Sequence, residues 1–219
     1  NFAVYKRNLV TGTPLIAVLD YGIGNLRSAQ KALEHLGAEA LLTDNEETIN
    51  QADALVLPGV GSFGRCISAL EETGLRELAK TAAQEAAEGG RPFLGICVGL
   101  QMLYERSAET PGLEGLGVID GEVELVSDVE KLPQMQWNLL KTETHPMFEG
   151  NEQKSWAYFV HSYAAPISSN TVATCIYGEE VCAAIAENNL WATQFHPEKS
   201  GKVGLQILEN FIALAGVNL

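Results

Sequence analysis

From Leu15 onward, short runs of apolar residues alternate with longer stretches in which apolar residues return every three or four positions. Leu15-Ile16-Ala17-Val18-Leu19 reads as a buried parallel strand, because both faces of such a strand are covered. Tyr21-Gly22-Ile23-Gly24-Asn25 is a turn, and Leu26, Ala29, Leu33 and Leu36 then fall at helical spacing, closed by Gly37. Strands follow near 38–42 and at 54–57, the second running into Pro58-Gly59-Val60-Gly61. Helical spacing returns from Phe63 to about Glu88, broken near Gly74, and Pro92–Ile96 is a fourth strand. This alternation predicts an α/β fold with a mixed, mainly parallel sheet flanked by helices. The second half predicts antiparallel additions: strands at 117–119, 121–126, 137–141, 156–160, 172–177, 181–186 and 190–195, then a helix over Val203–Ala215. The pattern assigns one domain to residues 14–219. Residues 1–13 read as an extension or remnant outside it, with no initiating Met and no apolar stretch of signal-peptide length.

Charge narrows the partners. Lys and Arg total 14 against 28 Asp and Glu, a formal net charge of −14. A nucleic-acid partner needs a cationic surface, and an anionic membrane surface is disfavoured for the same reason. Docking against a basic protein face stays compatible with the charge. No apolar run reaches the ~18 residues of a membrane span, and a cytoplasmic location is a separate expectation. The cysteines Cys66, Cys97, Cys175 and Cys182 form no CxxC pair, and with four His they suggest no structural metal site. If Gly178-Glu179 turns a hairpin, Cys175 and Cys182 fall directly opposite each other, a pair that a reducing cytosol would keep as thiols.

The sharpest chemical feature is Gly95-Ile96-Cys97-Val98-Gly99, a nucleophile flanked by small residues between a strand and a helical segment. A strand turning abruptly into a helix leaves no room for side chains beside the nucleophile, and glycine removes the clashing atoms. Cys97 would stand at the positive end of the following helix, which favours the thiolate. The same pentapeptide also suits a buried structural cysteine in a tight joint. A base must come from His35, His145, His161 or His196. His35 falls late in the first helix and His145 in a Thr-His-Pro turn. His196 ends a strong strand and precedes Pro197, which biases it to an extended conformation. Residues two apart then face one side, so Glu198 can reach its imidazole and fix the tautomer, as in a catalytic triad. Donors for an oxyanion are expected from the N–H of Val98 and from the turn at Val60.

In order along the chain, Asp20–Leu26, Leu57–Phe63, Gly95–Gln101, His161-Ser162-Tyr163 and Gln194–Ser200 resemble the motifs of the class I (triad) glutamine amidotransferase family. The resemblance spans residues 15–215, and its first two motifs are similar to the histidine-biosynthetic branch rather than to the anthranilate, GMP or pyridoxal phosphate branches. It implies a glutaminase with catalytic Cys97, His196 and Glu198 and no cofactor or metal. It further implies that L-glutamine is held by Gly59, Gln101, Glu105, Ser162 and Tyr163, with Gln101 and Glu105 following Cys97 at four-residue intervals on one helix face. Ammonia would pass to a (β/α)8-barrel cyclase subunit making imidazole glycerol phosphate, docked as a heterodimer. Asn25, Met135, Trp137, Asn138 and Lys199 would face it. Aromatic anchors are enriched at interfaces, which favours Trp137 independently. A glutaminase of another amidotransferase, or a non-catalytic regulatory subunit, are the alternatives. The chain departs from the family pattern at Gln134 and Gln136, where His and Gly are usual, and at Ser62, where His is frequent.

Overall fold

A computed structural model describes residues 12–126, 131–152 and 154–216 of the 219. The expected extension at 1–13 therefore lies almost wholly outside the described residues.

The first half alternates as its periodicity predicts. The strands are β1 (Leu15–Leu19), β2 (Glu39–Thr43), β3 (Ala54–Gly59) and β4 (Phe93–Cys97). The helices are α1 (Leu26–His35), α2 (Glu46–Gln51), α3 (Phe63–Glu72) and α4 (Arg76–Ala87). Strands β3 and β4 are buried at every position, as continuous apolar runs require. Helix α1 buries Leu26, Ala29 and Leu33, while α4 buries only alanines (Ala79, Ala82, Ala83 and Ala86), which permits close approach to the sheet. The break between α3 and α4 falls at Gly74, whose φ of +74° suits glycine. Helix α2 was not signalled by periodicity. It is six residues long and starts at Asn45, whose side chain accepts from the Thr48 N–H at 2.9 Å.

The second half contains α5 (Val98–Gln101), β5 (Tyr104–Ser107), β6 (Ile119–Leu125), β7 (Gln134–Thr142), β8 (Ser155–His161) and β9 (Tyr163–Ala164). It ends with β10 (Thr171–Tyr177), β11 (Glu179–Glu187), β12 (Leu190–Thr193) and α6 (Gly201–Ala215). The two strands expected at 117–119 and 121–126 are one, β6. Among the described residues, nine strands form one sheet in the order β2-β1-β3-β4-β12-β11-β10-β7-β8, and β5-β6-β9 form a small second sheet. The pairs from β2 to β12 are parallel and those from β12 to β8 antiparallel. The predicted mixed sheet is thus observed.

Two features of this half matter for the site. Strand β12 lies beside β4 with Thr193 opposite Ile96, so the chain ends of both strands open at the same place. The antiparallel half also curls back on itself. The His196 N–H donates to the Tyr158 carbonyl of edge strand β8, and the Tyr158 N–H donates to the Ser200 hydroxyl, each at 3.0 Å. The β10–β11 hairpin turns tightly at Gly178, pairing Tyr177 with Glu179. That register sets Cys175 against Val181 and Cys182 against Thr174. The expected facing pair is therefore wrong by one residue, which places the two sulfurs on opposite faces of the ladder. All four cysteines are free and buried.

Candidate active site

Cys97 is the last residue of β4 and holds φ +57° and ψ −110°, a backbone conformation L-residues rarely adopt. The glycines around it are there for space. A Cβ added to Gly99 would stand 1.9 Å from the Leu57 carbonyl, and one on Gly95 would stand 2.9 Å from the Gly99 carbonyl. Gly59 is pressed against Val98 in the same way, at 2.8 Å. The helix that follows is shorter than a shared face for Gln101 and Glu105 requires. It is the single turn α5, so the thiol receives the amides of one turn rather than the dipole of a long helix.

His196 has an extended backbone, as the following proline requires, and its Nδ1 bonds Glu198 Oε1 at 2.8 Å. Both side chains are 2% exposed. Because Glu198 occupies Nδ1, the other ring nitrogen, Nε2, is left free and buried, and it faces the Cys97 sulfur. Burial works against a charge on this ring, but the Cys97 sulfur and the Glu198 carboxylate outweigh it and lift the imidazole to about 9. Glu198 is steadied from the start of α1 by Asn25, whose Nδ2 donates to the same Oε1 at 3.4 Å. Ser28 in turn donates to Asn25 Oδ1 at 2.6 Å.

Cys97 and His196 open into a cavity of about 270 Å3. Val60, Val98, Gln101, Ser162 and Tyr163 line it, so these expected site residues are brought together. Gly61 rather than Gly59 forms the wall at the β3 turn. Gln101 is buried, with both of its N–H bonds used internally: Nε2 donates to the Tyr163 carbonyl at 2.8 Å and to Gln194 Oε1 at 3.1 Å. Its carbonyl oxygen is what remains for a ligand.

Glu105 is not in this cavity. The chain leaves the helix after Gln101, and Glu105 lies in β5, where its carboxylate accepts from the Gly121 N–H at 3.1 Å. Glu105 shares no helix face with Gln101, because α5 stops one turn too early. The carboxylate that does line the cavity is Glu109, which sequence reasoning missed. It accepts from the Phe63 N–H at 2.7 Å and so caps α3 from a distance, where Ser62 at the N-cap makes no side-chain bond. Only the early end of α5 distinguishes the two glutamates, and no residue pattern marks it.

His161 also lines the cavity. Its Nδ1 bonds the Tyr163 carbonyl at 2.9 Å, while its Nε2 is buried without a partner. Desolvation pushes this imidazole down to about 4. His145 bonds the Met147 N–H and packs edge-on to Trp191, and His35 is exposed at the end of α1, so neither joins the site. Met135 and Trp137 project from β7 into solvent, and Trp137 packs edge-on against Tyr158. Lys199 is exposed beside the triad, and Asn138 spends its amide on the Ile176 carbonyl at 2.8 Å. Gln134 is fully buried, Gln136 exposed.

The profile of the family described as "Glutamine amidotransferase class-I" matches residues 17–214. The chain is 48% identical to the imidazole glycerol phosphate synthase subunit HisH of Methanothermobacter thermautotrophicus, covering 91% of this chain and 98% of that protein. Against the subunit of the same name from Methanocaldococcus jannaschii, identity is 47%, covering 91% and 100%. The Acinetobacter baylyi subunit is 45% identical, covering 90% and 97%. Among solved structures, a glutamine amidotransferase superposes with TM-score 0.72 at 22% identity, covering 92% of this chain and 99% of that one. PurLQS from Thermotoga maritima superposes with TM-score 0.68 at 21% identity, covering 91% and 98%. These two share the fold.

Proposed function

Because the chain belongs to the class I glutamine amidotransferase family, we propose that it is the glutaminase subunit of an imidazole glycerol phosphate synthase, serving histidine biosynthesis. The observation that carries the chemistry is Cys97 on its strained elbow, facing an imidazole held 2.8 Å from Glu198 above a cavity of about 270 Å3. That space suits a small zwitterion.

Cys97 Sγ, its proton already held by the His196 imidazolium, attacks the carboxamide carbon of glutamine as the thiolate. The tetrahedral oxyanion is held by the Val98 N–H and an amide of the Val60–Gly61 turn. Collapse expels the amide nitrogen, which takes the proton from His196 and leaves as ammonia. Water, deprotonated by His196, then attacks the γ-glutamyl thioester and releases glutamate and the thiolate. Glu198 keeps the imidazole in the productive tautomer and stabilises its cation throughout. At the far end of the cavity the Glu109 carboxylate pairs with the substrate ammonium, Gln101 accepts through its free carbonyl, and the backbone of Ser162 and Tyr163 meets the carboxylate.

Ammonia released into water would be protonated and lost as a nucleophile, so the product has to pass directly to a synthase. The partner is a (β/α)8-barrel cyclase, bound as a heterodimer in the cytoplasm. Its docking surface is the outer face of β7–β8, where Met135, Trp137, Leu139 and Trp156 are exposed together. Asn25 and Lys199 flank the triad on this reading. Glutaminase activity of the isolated chain is expected to be low and to rise at least tenfold with a cyclase subunit and its ribotide ligand. Activity that ignores both would refute the histidine-pathway assignment.

A further inference from the structure

Gln194 has no part in the mechanism above, yet it is fully buried beside the reacting sulfur. It follows β12 directly. Since Thr193 is opposite Ile96 in the β12–β4 ladder, the next step of that register brings Gln194 to Cys97. Its Nε2 lies 3.8 Å from Cys97 Sγ, within hydrogen-bonding range of sulfur.

The direction of this amide is set by its neighbours. Oxygen and nitrogen of a glutamine side chain are told apart by their partners, and here the partners form a one-way chain. The Tyr163 carbonyl can only accept, so Gln101 presents its NH2 to it. The same NH2 reaches Gln194, so Gln194 presents its carbonyl oxygen to Gln101. That leaves the Gln194 NH2 facing Cys97. A backbone carbonyl on the substrate-binding side of the cavity thereby orients a donor at the nucleophile. His161 Nδ1 bonds the same carbonyl and fixes it further.

We propose that Gln194 is a catalytic residue of this site, its amide N–H holding the Cys97 sulfur as thiolate. His196 supplies the countercharge on one side of the sulfur and Gln194 a neutral, directional donor on another. A donor to an anion favours the charged form and fixes where it points. The proposal rests on Cys97 being the nucleophile, but its test needs neither glutamine turnover nor a partner.

The test is the pH profile of Cys97 alkylation by iodoacetamide in the full chain, followed by mass spectrometry of the Cys97 peptide, with folding checked by circular dichroism. In Gln194→Met, which keeps length and removes the donor, the midpoint of the profile moves to higher pH. The rate at pH 7 falls about tenfold, the size expected for a hydrogen bond to a charged group. Gln101→Met leaves Gln194 in place but releases its orientation, and gives a smaller shift in the same direction. If Gln194→Met does not fold, Gln101→Met carries the test. A profile superimposable on that of the unsubstituted chain, or displaced to lower pH, in either folded variant overturns the proposal. Failure of the glutaminase reading would appear separately, as absence of glutamine hydrolysis by the unsubstituted chain with its cyclase.

Discussion

His161 and His196 share one cavity and are pushed in opposite directions. His196 gains a thiol and a carboxylate as neighbours and carries its proton up to about 9. His161 gains burial, a carbonyl at Nδ1 and the nearby His196 cation, and holds its proton only below about 4. Between pH 6.5 and 4 the unfolded chain therefore binds a proton at position 161 that the folded chain refuses. Stability falls as pH falls through that window, because the unfolded state binds more protons there. Replacing His161 by Asn should flatten this part of the curve, measured as urea midpoints at pH 7, 5.5 and 4.5. Parallel curves for variant and unsubstituted chain would place the acid sensitivity elsewhere.

The elbow joining β4 to α5 shows how one element dictates residue choice in another. Strand β3 runs so close beneath it that the Leu57 carbonyl occupies the space of a Gly99 side chain. Gly99→Ala should therefore cost at least about 3 kcal/mol in stability, since the clash is with backbone in the centre of the sheet. Thermal melting would read this directly, and glutaminase activity should vanish with it. An alanine variant that melts with the unsubstituted chain would show that the elbow can open. The same joint marks where the sequence could be read and where it could not. Cys97, His196 and Glu198 were legible because strand ends, glycine and proline constrain backbone direction locally. Glu109 was not, because its place depends on α5 stopping after one turn, and nothing in the residues between Leu100 and Leu103 announces a stop. Cys175 and Cys182 were misplaced for a related reason. A turn at Gly178 alone and one at Gly178-Glu179 are equally written in the sequence, but they differ by one step of register. Helix α2 carries too few apolar positions to show a period at all.

At the scale of the whole molecule, charge and chemistry are decoupled. The formal charge of −14 is spread over a surface whose β7–β8 face is apolar, and the substrate proposed here is a zwitterion. What the whole molecule does with ammonia is tested by Cys97→Ala in the complex with the cyclase. Glutamine-dependent synthesis should fall by at least a thousandfold, while synthesis from added ammonium salts survives within about twofold, as expected when one nucleophile is removed from an otherwise intact assembly. Loss of both activities would show that the chain contributes more to the cyclase than a supply of nitrogen. The curl of the antiparallel half bears on how such an assembly holds its shape. Strands β12, β11, β10, β7 and β8 follow one another by backbone bonds, and β8 returns to His196, the residue after next beyond Gln194. The bond from the His196 N–H to Tyr158 tethers edge strand β8 to the chain just past β12. A ribbon frays from its outer strand inward, and its centre feels nothing until late. Because β8 carries that bond, slackening of this outer strand reaches the seat of the imidazole without crossing the core.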